Sequence, residues 1–214
     1  GILIVLTSFT LPTFAGTQFV KYDNDAANGR FLPQSTEEPE KVFQRNNIRV
    51  SGDIQVAEAQ ALAQVISAIE MIGDGKFSAQ KNARFRFGTV WGPSRYRDGI
   101  IQINPGSQSV REMDDQRYGG CNNRAMLAHE LGHYIGHQGL YRAYLNAVAR
   151  RNGVGCLISS YAGKRRTEEW AEVFAAFVTN QNLFSGKGSQ CAEAFSFLKG
   201  IFGEEDNVTS SFGR

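Results

Sequence analysis

The chain contains only three histidines, and all lie within nine residues, at His129, His133 and His137. The first two belong to the run His129-Glu130-Leu131-Gly132-His133. On a helix, residues four apart share one face about one turn apart, so two neutral imidazoles can hold one Zn²⁺ from the same side. Glu130 is rotated by about 100° around the axis and can reach a water on that ion. Zinc lowers the pKa of such a water to about 7, and Glu130 can take its proton as the oxygen attacks a peptide carbonyl. The bland alternative is two surface histidines on an amphipathic helix. It fits the same geometry, because Leu127, Leu131, Tyr134 and Ile135 form an apolar opposite face. Gly132 favours a site, since it lets another backbone or a substrate approach closely.

Two histidines leave zinc one protein ligand short. His137 lies one turn past His133, but the helix rises about 12 Å from His129 to His137, too far for three ligands to converge without a break. The metzincin pattern H-E-x-x-H-x-x-G-x-x-H has such a break at its glycine. Gly136 matches that glycine, yet Gly139 stands at the third-ligand position. Acidic candidates lie in Thr167-Glu168-Glu169-Trp170-Ala171-Glu172-Val173-Phe174. Trp170, Val173, Phe174, Phe177 and Val178 make an apolar stripe that docks this helix on the core. Glu168 and Glu172 share one face, and Glu169 points elsewhere. A run of acids at a helix N-terminus needs no metal to explain it, so both readings stand on spacing alone.

The sequences H-E-L-G-H and S-Y-A-G-K-R-R-T-E-E-W-A-E-V-F-A together resemble the catalytic domain of the anthrax lethal factor-like zinc endopeptidases and the related clostridial Pro-Pro endopeptidases. In that family a Ser-Tyr pair precedes a helix of the form E-x-x-A-E-x-F. The resemblance spans roughly residues 123–179 and implies a zincin-like fold and peptide hydrolysis. It implies His129, His133 and Glu168 as zinc ligands and Glu130 as general base. It further implies Tyr161 as a donor to the oxyanion and Glu172 as a support to a histidine ligand. Glu169 replaces the family's usual apolar residue, which leaves Glu168 against Glu169 slightly open. The family also pairs an extended substrate with an edge strand before the active helix. That role falls on Gly99, Ile100, Ile101, Gln102 and Ile103, with Trp91, Tyr96 and Arg97 in the preceding loop. A degenerate domain that binds a peptide or protein without cutting is the alternative.

These residues need a frame to hold them. Apolar spacing predicts a helix over 56–72, closed by Gly73-Asp74-Gly75. Short strands are expected at 47–50, 83–87, 89–91 and 99–103. Further helices follow from Asn123 to about Gln138, over 140–151, over 167–179 and over 192–202. The expected class is α+β: a small mixed sheet, an active-site helix and a helical C-terminal half. Residues 1–15 are apolar and uncharged and resemble a truncated signal peptide, too short to span a membrane. Residues 16–46 read as a polar lead-in, and 47–214 as the metallopeptidase domain. Cys121, Cys156 and Cys191 lack C-x-x-C spacing; in an exported chain two of them can pair. The net charge of +2 gives no reason to expect nucleic acid as a partner. The expectation is a secreted or periplasmic monomer acting on a peptide or protein. Arg124, in the first turn of the active helix, is read as solvated or paired.

Overall fold

The computed structural model describes residues 37–88, 93–104, 124–148 and 155–203. The residues of the signal-like segment, the strand expected at 89–91, Trp91 and Cys121 lie outside these ranges.

Helix α1 (Pro39–Arg45) begins with proline at its start, where the missing N–H costs nothing. Its Val42 is fully buried, with Phe43 packed beside it. The end of the expected lead-in is therefore part of the core, and a boundary at residue 47 falls inside packed structure. One short apolar pair in an acidic stretch is too small a signal to read as a helix. Strand β1 (Arg49–Gly52) follows, then α2 (Val56–Ile72). A capping box starts α2: Gln55 and Glu58 exchange side-chain and backbone bonds, with the Gln55 N–H donating to Glu58 at 2.9 Å. Its stripe of Leu62, Val65, Ile66 and Ile69 is fully buried, as the periodicity predicts.

Strands β2 (Arg84–Phe87), β3 (Arg95–Arg97) and β4 (Ile100–Ile103) complete one sheet in the order β1-β2-β4-β3. The first three in that order are parallel, and β3 runs antiparallel to β4. Alternation sorts the two faces: Phe85, Phe87, Ile101 and Ile103 are buried, whereas Arg84 and Arg86 face solvent. Two expectations are corrected here. The strand carrying Ile100, Ile101, Gln102 and Ile103, with Gly99 at its head, is not an edge. It is bonded on both sides, to β2 and to β3. Tyr96 and Arg97 are not loop residues but part of β3, which is the edge strand on that side of the described sheet. Three residues flanked by charged neighbours leave too short an alternation to read.

The back half is helical: α3 (Arg124–Ile135), a wide π-type turn (Gly136–Leu140), α4 (Tyr141–Ala147), α5 (Arg166–Thr179), a 3-10 turn (Gln181–Phe184) and α6 (Ser189–Phe202). Gly139, at φ 107°, kinks the chain from α3 into α4 instead of ending the helix in a loop. Helices α3 and α5 pack unusually closely. A Cβ on Gly132 would sit 3.2 Å from the Phe174 ring and 3.3 Å from the Ala171 backbone, and one on Gly136 would meet Trp170 Nε1 at 2.6 Å. Trp170 Nε1 donates to the Gly132 carbonyl at 2.7 Å. Gly132 thus admits a neighbouring helix. A disulfide joins Cys156 to Cys191 and ties the segment before α5 to the first turn of α6. The molecule is a mixed α+β fold with one small four-stranded sheet. No described helix is long and apolar enough to cross a membrane.

Candidate metal centre

Helix α3 is buried along most of its length, so its polar residues sit inside the protein. Arg124 is 4 % exposed, which excludes a solvated role. His129 is equally buried, while His133 lies at the rim. Glu168 enters from the first turn of α5. Its Oε2 is 3.2 Å from His129 Nε2 and 3.3 Å from His133 Nε2, and the two Nε2 atoms are 3.2 Å apart. The three atoms form a nearly equilateral triangle.

That triangle tests whether the residues fit a metal. Ligands at about 2.0–2.1 Å around a tetrahedral ion lie roughly 3.3–3.4 Å from one another. The observed edges match this spacing with little adjustment. His129, His133 and Glu168 can therefore hold a metal ion, and they are the group of His, Cys, Asp and Glu side chains among the described residues arranged to do so.

The supporting shell fits as well. His129 Nδ1 is 2.9 Å from Glu172 Oε1, and Glu172 is fully buried. A proton on Nδ1, beside this carboxylate, leaves Nε2 free to face the triangle's centre. The other Glu172 oxygen accepts from the Ser159 hydroxyl, whose oxygen accepts from the Ala162 N–H at 3.1 Å. A chain of polar contacts thus runs from the loop before α5 to His129 on α3. Sequence reasoning missed Ser159. Its signal was its place in the Ser159-Ser160-Tyr161 segment, with no periodicity to show which hydroxyl points inward.

Opposite charges converge at the triangle. Burial opposes charging of His129, but hydrogen bonds to Glu168 and Glu172 outweigh it, with Glu130 adding its charge, and push its pKa up to about 10. Burial likewise opposes ionisation of Glu168. Hydrogen bonds and positive charge from His129 and His133 still hold its carboxyl well below the usual range. In metal-free protein, a proton on His129 supplies positive charge between Glu168 and Glu172.

Glu130, 5 % exposed, sits beside this cluster. Burial pushes its carboxyl above the ordinary range, with His129 and His133 opposing and Glu168 reinforcing the shift. The Tyr96 backbone N–H donates to it, so the edge of β3 away from β4 faces this carboxylate. Tyr161 approaches from the loop before α5, its ring centroid 5.9 Å from that of His129 in an edge-on arrangement.

The rival ligands go elsewhere. Glu169 is buried and accepts from the Tyr144 hydroxyl at 2.8 Å and from the Cys156 N–H at 3.1 Å. It anchors the loop before α5 to the core and takes no part in the triangle. A Cβ on Gly155 would collide with this carboxylate, which explains the glycine there. His137 is exposed and lies tilted against Tyr96, with ring centroids 4.9 Å apart, outside the group that could hold a metal. No protein-family model matches the chain, and no curated protein or solved structure matches it.

Proposed function

We propose that the chain is a zinc-dependent endopeptidase of zincin-like fold, similar to the lethal factor-like enzymes. The observation that carries this reading is the triangle of His129 Nε2, His133 Nε2 and Glu168 Oε2, with edges of 3.2–3.3 Å, beside the buried Glu130 carboxyl. A His₂Glu donor set with an open fourth position is a zinc peptidase arrangement. When bound, zinc supplies a Lewis acid that acidifies water and polarises a carbonyl.

The remaining work belongs to the chain. Glu130 takes the proton of the attacking water and returns it to the departing amine, and its raised pKa suits both transfers. Tyr161 is assigned as the phenol that donates to the developing oxyanion. Glu172 and Ser159 hold His129 in the tautomer that binds. An extended peptide lies along the outer edge of β3, where the Tyr96 carbonyl is placed to accept from its backbone. The Cys156–Cys191 disulfide suits an oxidising compartment and supports a secreted or periplasmic location.

The test is zinc stoichiometry of the purified protein together with mass-spectrometric cleavage of a mixed peptide library. One zinc per chain and cleavage lost in Glu130→Ala are expected. Zinc binding with no peptide cut by the wild-type protein would instead assign a degenerate domain that binds without cutting.

A further inference from the structure

The outer face of the sheet is rich in arginine. Register places Arg49 beside Arg84, Arg86 beside Gln102, Arg95 beside Gln102 and Arg97 beside Ile100. Arg49, Arg84, Arg86, Arg95 and Arg97 are all exposed. Arg95 is held by a hydrogen bond from its Nε to Gln102 Oε1 at 3.1 Å, which steers the guanidinium without neutralising it. Arg97 meets Asp98 at 3.2 Å, in a pair whose side chains are 63 % and 84 % exposed. A pair so open to water contributes little and yields readily to a competing carboxylate. The Arg84 guanidinium reaches the β3–β4 turn, where a Cβ on Gly99 would meet its Nη2 at 2.8 Å. Among the described residues neither Arg84, Arg86 nor Arg95 has an acidic partner.

This charge lies on the strand that faces the candidate general base. The Tyr96 N–H donates to Glu130, so it points away from β4. In a strand, the N–H and C=O of one residue lie on the same edge, which puts the Tyr96 carbonyl on the free edge too. A peptide added there has side chains opposite Arg95 and Arg97 at two alternate positions, on the same face as the guanidinium groups. A second basic group reaches the site with Tyr161: Lys164 Nζ lies 4.4 Å from that ring's centroid, and Arg165 and Arg166 next to it are exposed.

We propose that β3 selects extended peptides with carboxylate side chains at two alternate positions, read by Arg95 and Arg97. The inference rests on the peptidase reading and names its substrate class. Each exposed arginine–carboxylate pair contributes a factor of about 1.4 to 5.4, so two contribute roughly two- to thirtyfold.

The experiment uses ten-residue peptides with Glu-x-Glu or Gln-x-Gln moved through every register, assayed with zinc-loaded full chain. In one register kcat/KM for the Glu peptide should exceed that of its Gln counterpart by about two- to thirtyfold, and the gap should shrink as salt rises. The double variant Arg95→Gln/Arg97→Gln should bring that ratio close to one. Arg49→Gln removes the same charge from the same face, but about 14 Å away across three strand spacings, and should leave the ratio alone. Equal cleavage of both peptides in every register, or a preference that survives the double variant, overturns the proposal while the peptidase reading stands. If no peptide is cut, fluorescence anisotropy of the labelled peptides decides it independently. Tighter binding of a Glu peptide, lost in the double variant, supports the proposal, and equal binding overturns it.

Discussion

Glu172 offers a sharp test of the candidate metal centre, because it touches no metal and yet controls a ligand. Its carboxylate is fully buried and lies 2.9 Å from His129 Nδ1. Such partners orient a ligating imidazole, fix its tautomer and raise its basicity. Their loss costs about 10–100-fold in metal affinity, or about 1.4–2.7 kcal/mol. Glu172→Gln keeps an acceptor for the imidazole N–H but loses the charge, and belongs near the tenfold end. Glu172→Ala removes the acceptor, strands the Ser159 hydroxyl and belongs near the hundredfold end. Ser159→Ala acts one bond further out and should cost less than tenfold. Zinc affinity is read by competition with a chromophoric chelator at neutral pH, with near-ultraviolet circular dichroism to verify packing. If all three variants keep their tertiary signal and bind zinc within twofold of wild type, Glu172 does not position a ligand. The assignment of His129 as a ligand through Nε2 would fall with it.

Other outcomes follow from neighbouring groups. Glu168→Gln should abolish stoichiometric zinc binding with the fold intact. Glu169→Gln should retain zinc but unfold more easily, by about 1–3 kcal/mol in a denaturant titration, since it satisfies Tyr144 and the Cys156 N–H in the core. Tyr161→Phe should lower kcat with little effect on zinc affinity in the same chelator assay, and an unchanged kcat would remove Tyr161 from the oxyanion role. Reduction of Cys156–Cys191, 35 residues apart in sequence, should cost about 2–4 kcal/mol, measured as a drop in denaturation midpoint. At Glu70, burial opposes ionisation, but hydrogen bonds from Arg45 (2.8 Å) and Asn46 (2.8 Å) hold the carboxyl below its ordinary value. A depressed folded-state pKa gives stability that is present above the unfolded value of about 4.3 and lost as pH falls through the folded value. Glu70→Gln should therefore lower Tm near neutral pH and converge with wild type in acid; parallel curves would exclude the linkage.

The local pattern of the chain determined a great deal. Apolar residues at spacings of three and four placed α2 and α5 nearly to the residue, because a long helix buries one stripe and repeats its signal several times. Two histidines four apart had to share a face wherever that helix lay. Glu168 could be preferred to Glu169 on the same ground, as the residue one turn before Glu172. What spacing could not reach was anything set between elements. It gave no reason for Gly132 to face Phe174 and Ala171, and the closeness of α3 and α5 is what brings Glu168 within 3.2–3.3 Å of both imidazoles. It did not choose Cys191 for Cys156, nor find Ser159 behind Glu172. The family resemblance mistook β4 for an edge, since strand order depends on pairings between distant segments and leaves no periodic trace in either one. Helical geometry is local and is written in the sequence. The position of Glu168 between the two imidazoles, the contacts behind His129 and the strand that faces Glu130 exist only once the helices and the sheet pack together.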